Sequence, residues 1–76
     1  MRVTFKNVVS DIGLSTTEAE KLRGQIGALI EGMNLSAGAT GKIPDFKDDR
    51  GTKREVKFKV LTNSGRDAEV DVTGIA

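Results

Sequence analysis

The sequence predicts an α+β domain of order β-α-β-β, with one amphipathic helix packed on a three-stranded sheet. The sheet becomes four-stranded if residues 41–47 also form a strand, and its C-terminal half is an antiparallel hairpin. Three patterns carry this reading. Val3 and Phe5 alternate with Arg2, Thr4 and Lys6; apolar residues recur at helical spacing from Ala19 to Met33; and two alternating runs, Val56-Phe58-Val60 and Ala68-Val70-Val72, flank a turn. At 76 residues the chain has room for a single domain, 1–76, because chains divide only at several times this length.

Residues 2–9 read as a half-buried strand. Its alternation breaks at Asn7, Val8 and Val9, where the strand bulges or ends. Ser10 to Leu14 follows as a turn, with Gly13 free to take a left-handed conformation. Ser15-Thr16-Thr17-Glu18 then forms a capping box, in which the Ser15 hydroxyl accepts from the third amide of the helix while Glu18 reaches back. From there Ala19, Leu22, Ile26, Leu29, Ile30 and Met33 share one face. A helix from 16 to 33 runs about 27 Å, which matches strands of about eight residues. Asn34 can leave it in the left-handed region, with Leu35 folding back as the terminal apolar contact.

Residues 36–53 read as a long loop or a short extra strand. They hold the only proline, Pro44, and loops of this length are uncommon without a role or hidden structure. Ile43 and Phe46 are the apolar points that could pin the segment to the edge of the core. Asp48-Asp49-Arg50-Gly51 reads as a turn into the next strand, opened by Asp and closed by a Gly of positive φ. For the last hairpin, a three-residue loop Asn63-Ser64-Gly65 sets Val60 against Ala68, Phe58 against Val70 and Val56 against Val72. On the other face it sets Lys59 against Glu69 and Lys57 against Asp71.

The inventory of reactive groups is short. The chain has 0 Cys, 0 His, 0 Trp and 0 Tyr. That removes disulfides, thiol nucleophiles, zinc sites of the usual kind and the commonest general base. Asp45, Asp48 and Asp49 do not keep the alternation of a calcium loop, and Val56 stands where its closing Glu would fall. The segment 36–43, Ser-Ala-Gly-Ala-Thr-Gly-Lys-Ile, fails the phosphate-loop pattern: Ser36 replaces its first Gly, Ile43 replaces its hydroxyl residue, and the segment follows a helix instead of opening one. No catalytic, cofactor-binding or metal-ligating residue is therefore expected. No apolar run reaches the 18 residues a membrane span needs, and no basic-then-apolar leader is present, so a cytoplasmic location is expected.

Two surfaces remain as candidates. Opposite the apolar stripe, the helix carries Lys21, Gly24, Gly27, Ala28 and Glu31. Glycine inside a helix costs about 0.8–1 kcal/mol relative to Ala, so a side-chain-free strip there suggests close approach of a partner backbone or a second copy of the chain. The other surface is charge. The whole chain has a net charge of +1, with 12 basic and 11 acidic residues, yet residues 42–59 hold seven basic and four acidic residues. Lys42, Lys47, Arg50, Lys53 and Arg54 could contact phosphates or an acidic protein. The leading expectation is a small non-catalytic interaction protein that occludes a protein partner. Inhibitors and accessory factors of phages and mobile elements share this stripped-down make-up. A nucleic-acid-binding module using residues 42–59 is the alternative.

Overall fold

In a computed structural model describing residues 1–76, the strands are β1 (Arg2–Phe5), β2 (Thr40–Lys47), β3 (Lys53–Asn63) and β4 (Asp67–Ile75), and the helix is α1 (Thr16–Met33). A single 3₁₀ turn, Val9–Ile12, stands between β1 and α1. The strands make one mixed sheet in the order β1-β4-β3-β2. β1 runs parallel to β4, while β2-β3 and β3-β4 are antiparallel. The helix covers one face, and the other face has no second layer.

The helix forms where the spacing places it. Ser15 Oγ accepts from the Glu18 amide at 3.1 Å, and Glu18 Oε1 accepts from the Ser15 amide at 2.8 Å. Asn34 leaves the helix at φ 55° and ψ 46°. Ala19, Leu22, Ile26 and Ile30 are buried, but Met33, expected on the same stripe, is 64% exposed. The chain reverses at Asn34, and Leu35 packs against the core in its place.

The strand expected over 2–9 stops at Phe5 because a side chain takes over from the backbone. Asn7 Oδ1 accepts from the Val72 amide at 2.8 Å, and Asn7 Nδ2 donates to the Val72 carbonyl at 3.3 Å and to Asp71 Oδ1 at 3.2 Å. The carboxamide mimics a peptide unit in the ladder, which frees the main chain to enter the 3₁₀ turn. Gly13 closes that turn at φ 75°.

The segment 36–53 is an ordered strand and turn. Gly38, at φ 92°, donates to the Val60 carbonyl at 2.7 Å, and Val60 donates back to Ala39 at 2.8 Å, so pairing with β3 begins before β2 proper. Phe46 is fully buried and is a main core residue. Gly41 lies under the Phe58 ring, where a Cβ would sit 3.0 Å or less from three ring atoms. Asp48 Oδ1 accepts from the amides of Arg50 and Thr52, both at 2.9 Å, and Gly51 turns the chain at φ 80°.

The final hairpin keeps its predicted faces and changes its register. Val56, Phe58, Val60, Ala68, Val70 and Val72 are all buried against α1. Opposed pairs are Val60 with Val70, Phe58 with Val72 and Lys59 with Asp71, while Lys57 faces Gly74 and Val56 faces Ile75. The tight turn is Gly65-Arg66, not Asn63-Ser64-Gly65: the Ser64 amide donates to the Asp67 carbonyl at 2.9 Å, and Gly65 has φ 90°. Register shifts between Val60 and Thr62 and between Lys57 and Phe58 leave Leu61 and Thr73 as extra residues. A slip of two residues keeps every side chain on its face, so burial patterning could not tell the two registers apart.

Candidate functional site

The outer side of α1 is narrower as a smooth surface than the sequence suggests. Gly24, Ala28 and Gly32 are exposed, four residues apart. Gly27 is buried, and a Cβ there would lie 3.4 Å from Val3 Cγ2 and 3.7 Å from the Met1 carbonyl. Gly27 therefore belongs to the helix–β1 contact and not to the outer strip. Lys21 Nζ donates to the Lys47 carbonyl at 2.8 Å and sits 5.3 Å from the centroid of the Phe46 ring. Glu31 pairs with the Met1 amino group at 3.0 Å. Of the five helix residues singled out, Lys21 and Glu31 have intramolecular partners, and Gly24 and Ala28 stand free.

The basic residues of 42–59 gather around the β2-β3 ribbon. Strand alternation puts Val56 and Phe58 under the helix, so Lys53, Glu55, Lys57 and Lys59 point from β3 to the uncovered face. Lys42 stands directly opposite Lys57, and Lys47 opposite Lys53. Glu55 serves both members of the first pair, at 3.8 Å from Lys42 and 3.7 Å from Lys57. The two lysine side chains remain 54% and 62% exposed. A shallow depression of about 410 Å³ lies among Thr40, Gly41, Lys42, Lys57, Phe58 and Thr73. Thr73 enters it because the register shift pushes that residue out of the ladder.

Arg50 is exposed at the tip of the β2-β3 turn. Arg54 lies on the helix side, facing Phe46 across the ribbon, where its Nε donates to the Ala76 carbonyl at 3.1 Å and its guanidinium approaches Asp48 at 3.7 Å. Arg54 is thus separated from the lysines with which the sequence grouped it. On β4, Asp67, Glu69 and Asp71 form an acidic column beside β3, and the register sets Asp71 beside Lys59.

Carboxylates at the far end of the ribbon hold structure together. Glu18 bridges the helix start and the turn: Oε1 accepts from Ser15, and Oε2 accepts from the Asp49 amide at 2.9 Å. Ser15 Oγ donates to Asp49 Oδ2 at 2.6 Å. The Ser15 amide, followed by that of Asp49, holds the Glu18 carboxyl below its ordinary pKa. The Thr52 amide does the same for Asp48, helped by the Arg50 amide and the nearby Arg54 and Arg50 charges. Gly13, Glu18, Asp48, Asp49, Arg50 and Arg54 surround this latch.

Sequence reasoning set aside Lys57 and Lys59 because the expected register neutralised them with Asp71 and Glu69; the observed register frees Lys57, opposite Gly74, and keeps Lys59 beside an acid, Asp71. The alternation that placed both on the uncovered face was nonetheless the right signal. No helix is long and apolar enough to cross a membrane. The chain matches no family model, no curated protein and no solved structure.

Proposed function

We propose that this chain is a non-catalytic binding protein that presents the uncovered face of its β2-β3 ribbon to an acidic surface on a protein partner, occluding that surface. The observation that carries the reading is the pair of like-charge oppositions, Lys42 with Lys57 and Lys47 with Lys53. Like charges directly across a ladder destabilise a sheet. Glu55 is the one carboxylate within ion-pair distance of any of these four lysines. An incoming anionic surface relieves that repulsion, so binding energy comes from charges the fold itself holds at a cost.

A protein surface suits this face better than a nucleic acid does. All three Phe are buried and there is no Trp or Tyr, so no aromatic ring is available to stack bases. The basic area is two strands wide, with neighbouring strands about 5 Å apart, before the acidic β4 column begins. A long polyanion lying across the sheet would meet Asp67, Glu69 and Asp71. The absence of Cys and His supports a role without bond chemistry.

The test is affinity capture from nuclease-treated extract with three baits: wild type, Lys42→Glu/Lys57→Glu, and Gly24→Gln. A partner retained by wild type and Gly24→Gln but lost with the lysine variant supports the proposal. A partner lost only with Gly24→Gln moves the site to the outer strip of α1, and a dimer-to-monomer change in that variant would make a second copy the occupant. Binding to generic DNA or RNA that falls steeply with salt and requires the same lysines would favour the nucleic-acid alternative.

A further inference from the structure

The two edges of the sheet are unequal. The β2 edge carries Pro44, a register shift between Ile43 and Phe46, exposed Lys42 and Lys47, and a carbonyl already occupied by Lys21. These are the usual devices that keep a strand edge from pairing with another chain. The β1 edge has no proline and no register shift; it is four residues long, and its exposed charges, Arg2 and the adjoining Lys6, turn away a basic strand but not an acidic one.

Its backbone is also in phase to receive a strand. The Arg2 and Lys6 amides donate to the Arg66 and Val70 carbonyls, both at 2.8 Å. In a parallel ladder alternate residues bond the same neighbour, so the amides and carbonyls of Val3 and Phe5 point away from β4. A groove of about 410 Å³ runs along this edge, lined by Arg2, Val3, Thr4, Glu20 and Arg23. On the helix side, Arg23 is held by Glu20 at 2.6 Å and lies over the Phe5 ring at 4.9 Å from its centroid. On the uncovered side stand Arg2 and Lys6, which make no ion pair within 4.0 Å.

We infer that β1 accepts an extended segment of another protein as a fifth, antiparallel strand, one whose carboxylates alternate so as to face Arg2 and Lys6. Antiparallel pairing is the more stable per residue. A second copy of this chain fits the edge poorly. Antiparallel β1-β1 pairing through Val3 and Phe5 centres on Thr4 and sets Arg2 against Lys6 of the other copy, two like-charge oppositions. An acidic strand turns both into ion pairs. This site is separate from the β2-β3 face and does not depend on it.

The test uses the peptide acetyl-Glu-Val-Thr-Val-Glu-amide, titrated to millimolar concentration into the labelled protein and followed by amide NMR. The expected result is a saturable shift of the Val3 and Phe5 amides with slowed hydrogen exchange at both, while the Thr4 amide keeps its exchange rate. Methylating both Val amides of the peptide, or replacing both Glu with Lys, is expected to abolish the shift. Arg2→Glu/Lys6→Glu is expected to reverse the preference toward the Lys peptide, and Lys42→Glu/Lys57→Glu to leave binding unchanged. Val3 and Phe5 amides that stay in place throughout the titration overturn the proposal. So does equal binding of the methylated peptide, or a dimer that already protects these amides without peptide.

Discussion

Gly41 and Gly24 show how one residue type serves opposite ends at two positions. Gly41 makes room for the Phe58 ring, so Gly41→Ala overpacks the sheet and is expected to cost about 1–3 kcal/mol. Gly24 has open space where a Cβ would go, so Gly24→Ala is expected to raise stability by about 0.8–1 kcal/mol. Urea midpoints of the two variants, read against wild type, should move in opposite directions. Phe46 is the third decisive residue. Phe46→Ala is expected to cost about 3–5 kcal/mol, comparable to the whole stability of about 3–5 kcal/mol that a single small core supplies. That variant should lack a cooperative thermal transition. Glu18 and Asp48 give the molecule its pH response. Both pKa values lie below their ordinary 4.5 and 3.8. Their stabilising contribution is therefore full above those values and is lost as pH falls through the lowered ones. Stability should stay flat from pH 6 to 8, where no histidine titrates, and drop in acid. Glu18→Gln should be less stable at neutrality and show a shallower acid decline in a pH series of thermal melts.

At the scale of elements, legibility followed the strength of the local signal. The helix was readable to both ends because Ser15-Glu18 and Asn34 specify its caps through neighbours a few residues away. Both faces of β3 and β4 were readable because period-two burial is a property of each strand alone. The register was not, since it depends on the turn, and Gly65 can serve a two-residue or a three-residue loop. β2 was only partly readable. Its apolar residues, Ile43 and Phe46, are three apart, which breaks alternation until the register shift beside Pro44 restores Phe46 to the core side. β1 was overestimated because Asn7 imitates a backbone unit, and nothing in its neighbourhood of the sequence announces a partner at Val72. The candidate site was half legible. Lys42, Lys47 and Lys53 came from composition, Lys57 needed the true register, which moves it from Asp71 to Gly74 while Lys59 keeps an acidic neighbour in Asp71, and Arg54 and Gly27 needed the tertiary contacts that withdraw them. One element-level expectation follows from Lys42 facing Lys57. Lys57→Thr should stabilise the ribbon by a few tenths of a kcal/mol while weakening partner capture, a combination that simple unfolding cannot produce.

For the molecule as a whole, one layer of helix over four strands leaves half of the sheet uncovered, and charge organises that half. Basic side chains mark β1 and the β2-β3 ribbon, with the acidic β4 column between them. The parallel contact of β1 with β4 joins residues 65 positions apart, as the Asn7-Val72 bonds do. During synthesis at about 5–20 residues per second, β1 therefore waits roughly 3–13 seconds for the strand that completes it. Through that interval α1 is the one element made early that packs on Val3 and Phe5, and the β1 ladder closes only when the last strand arrives.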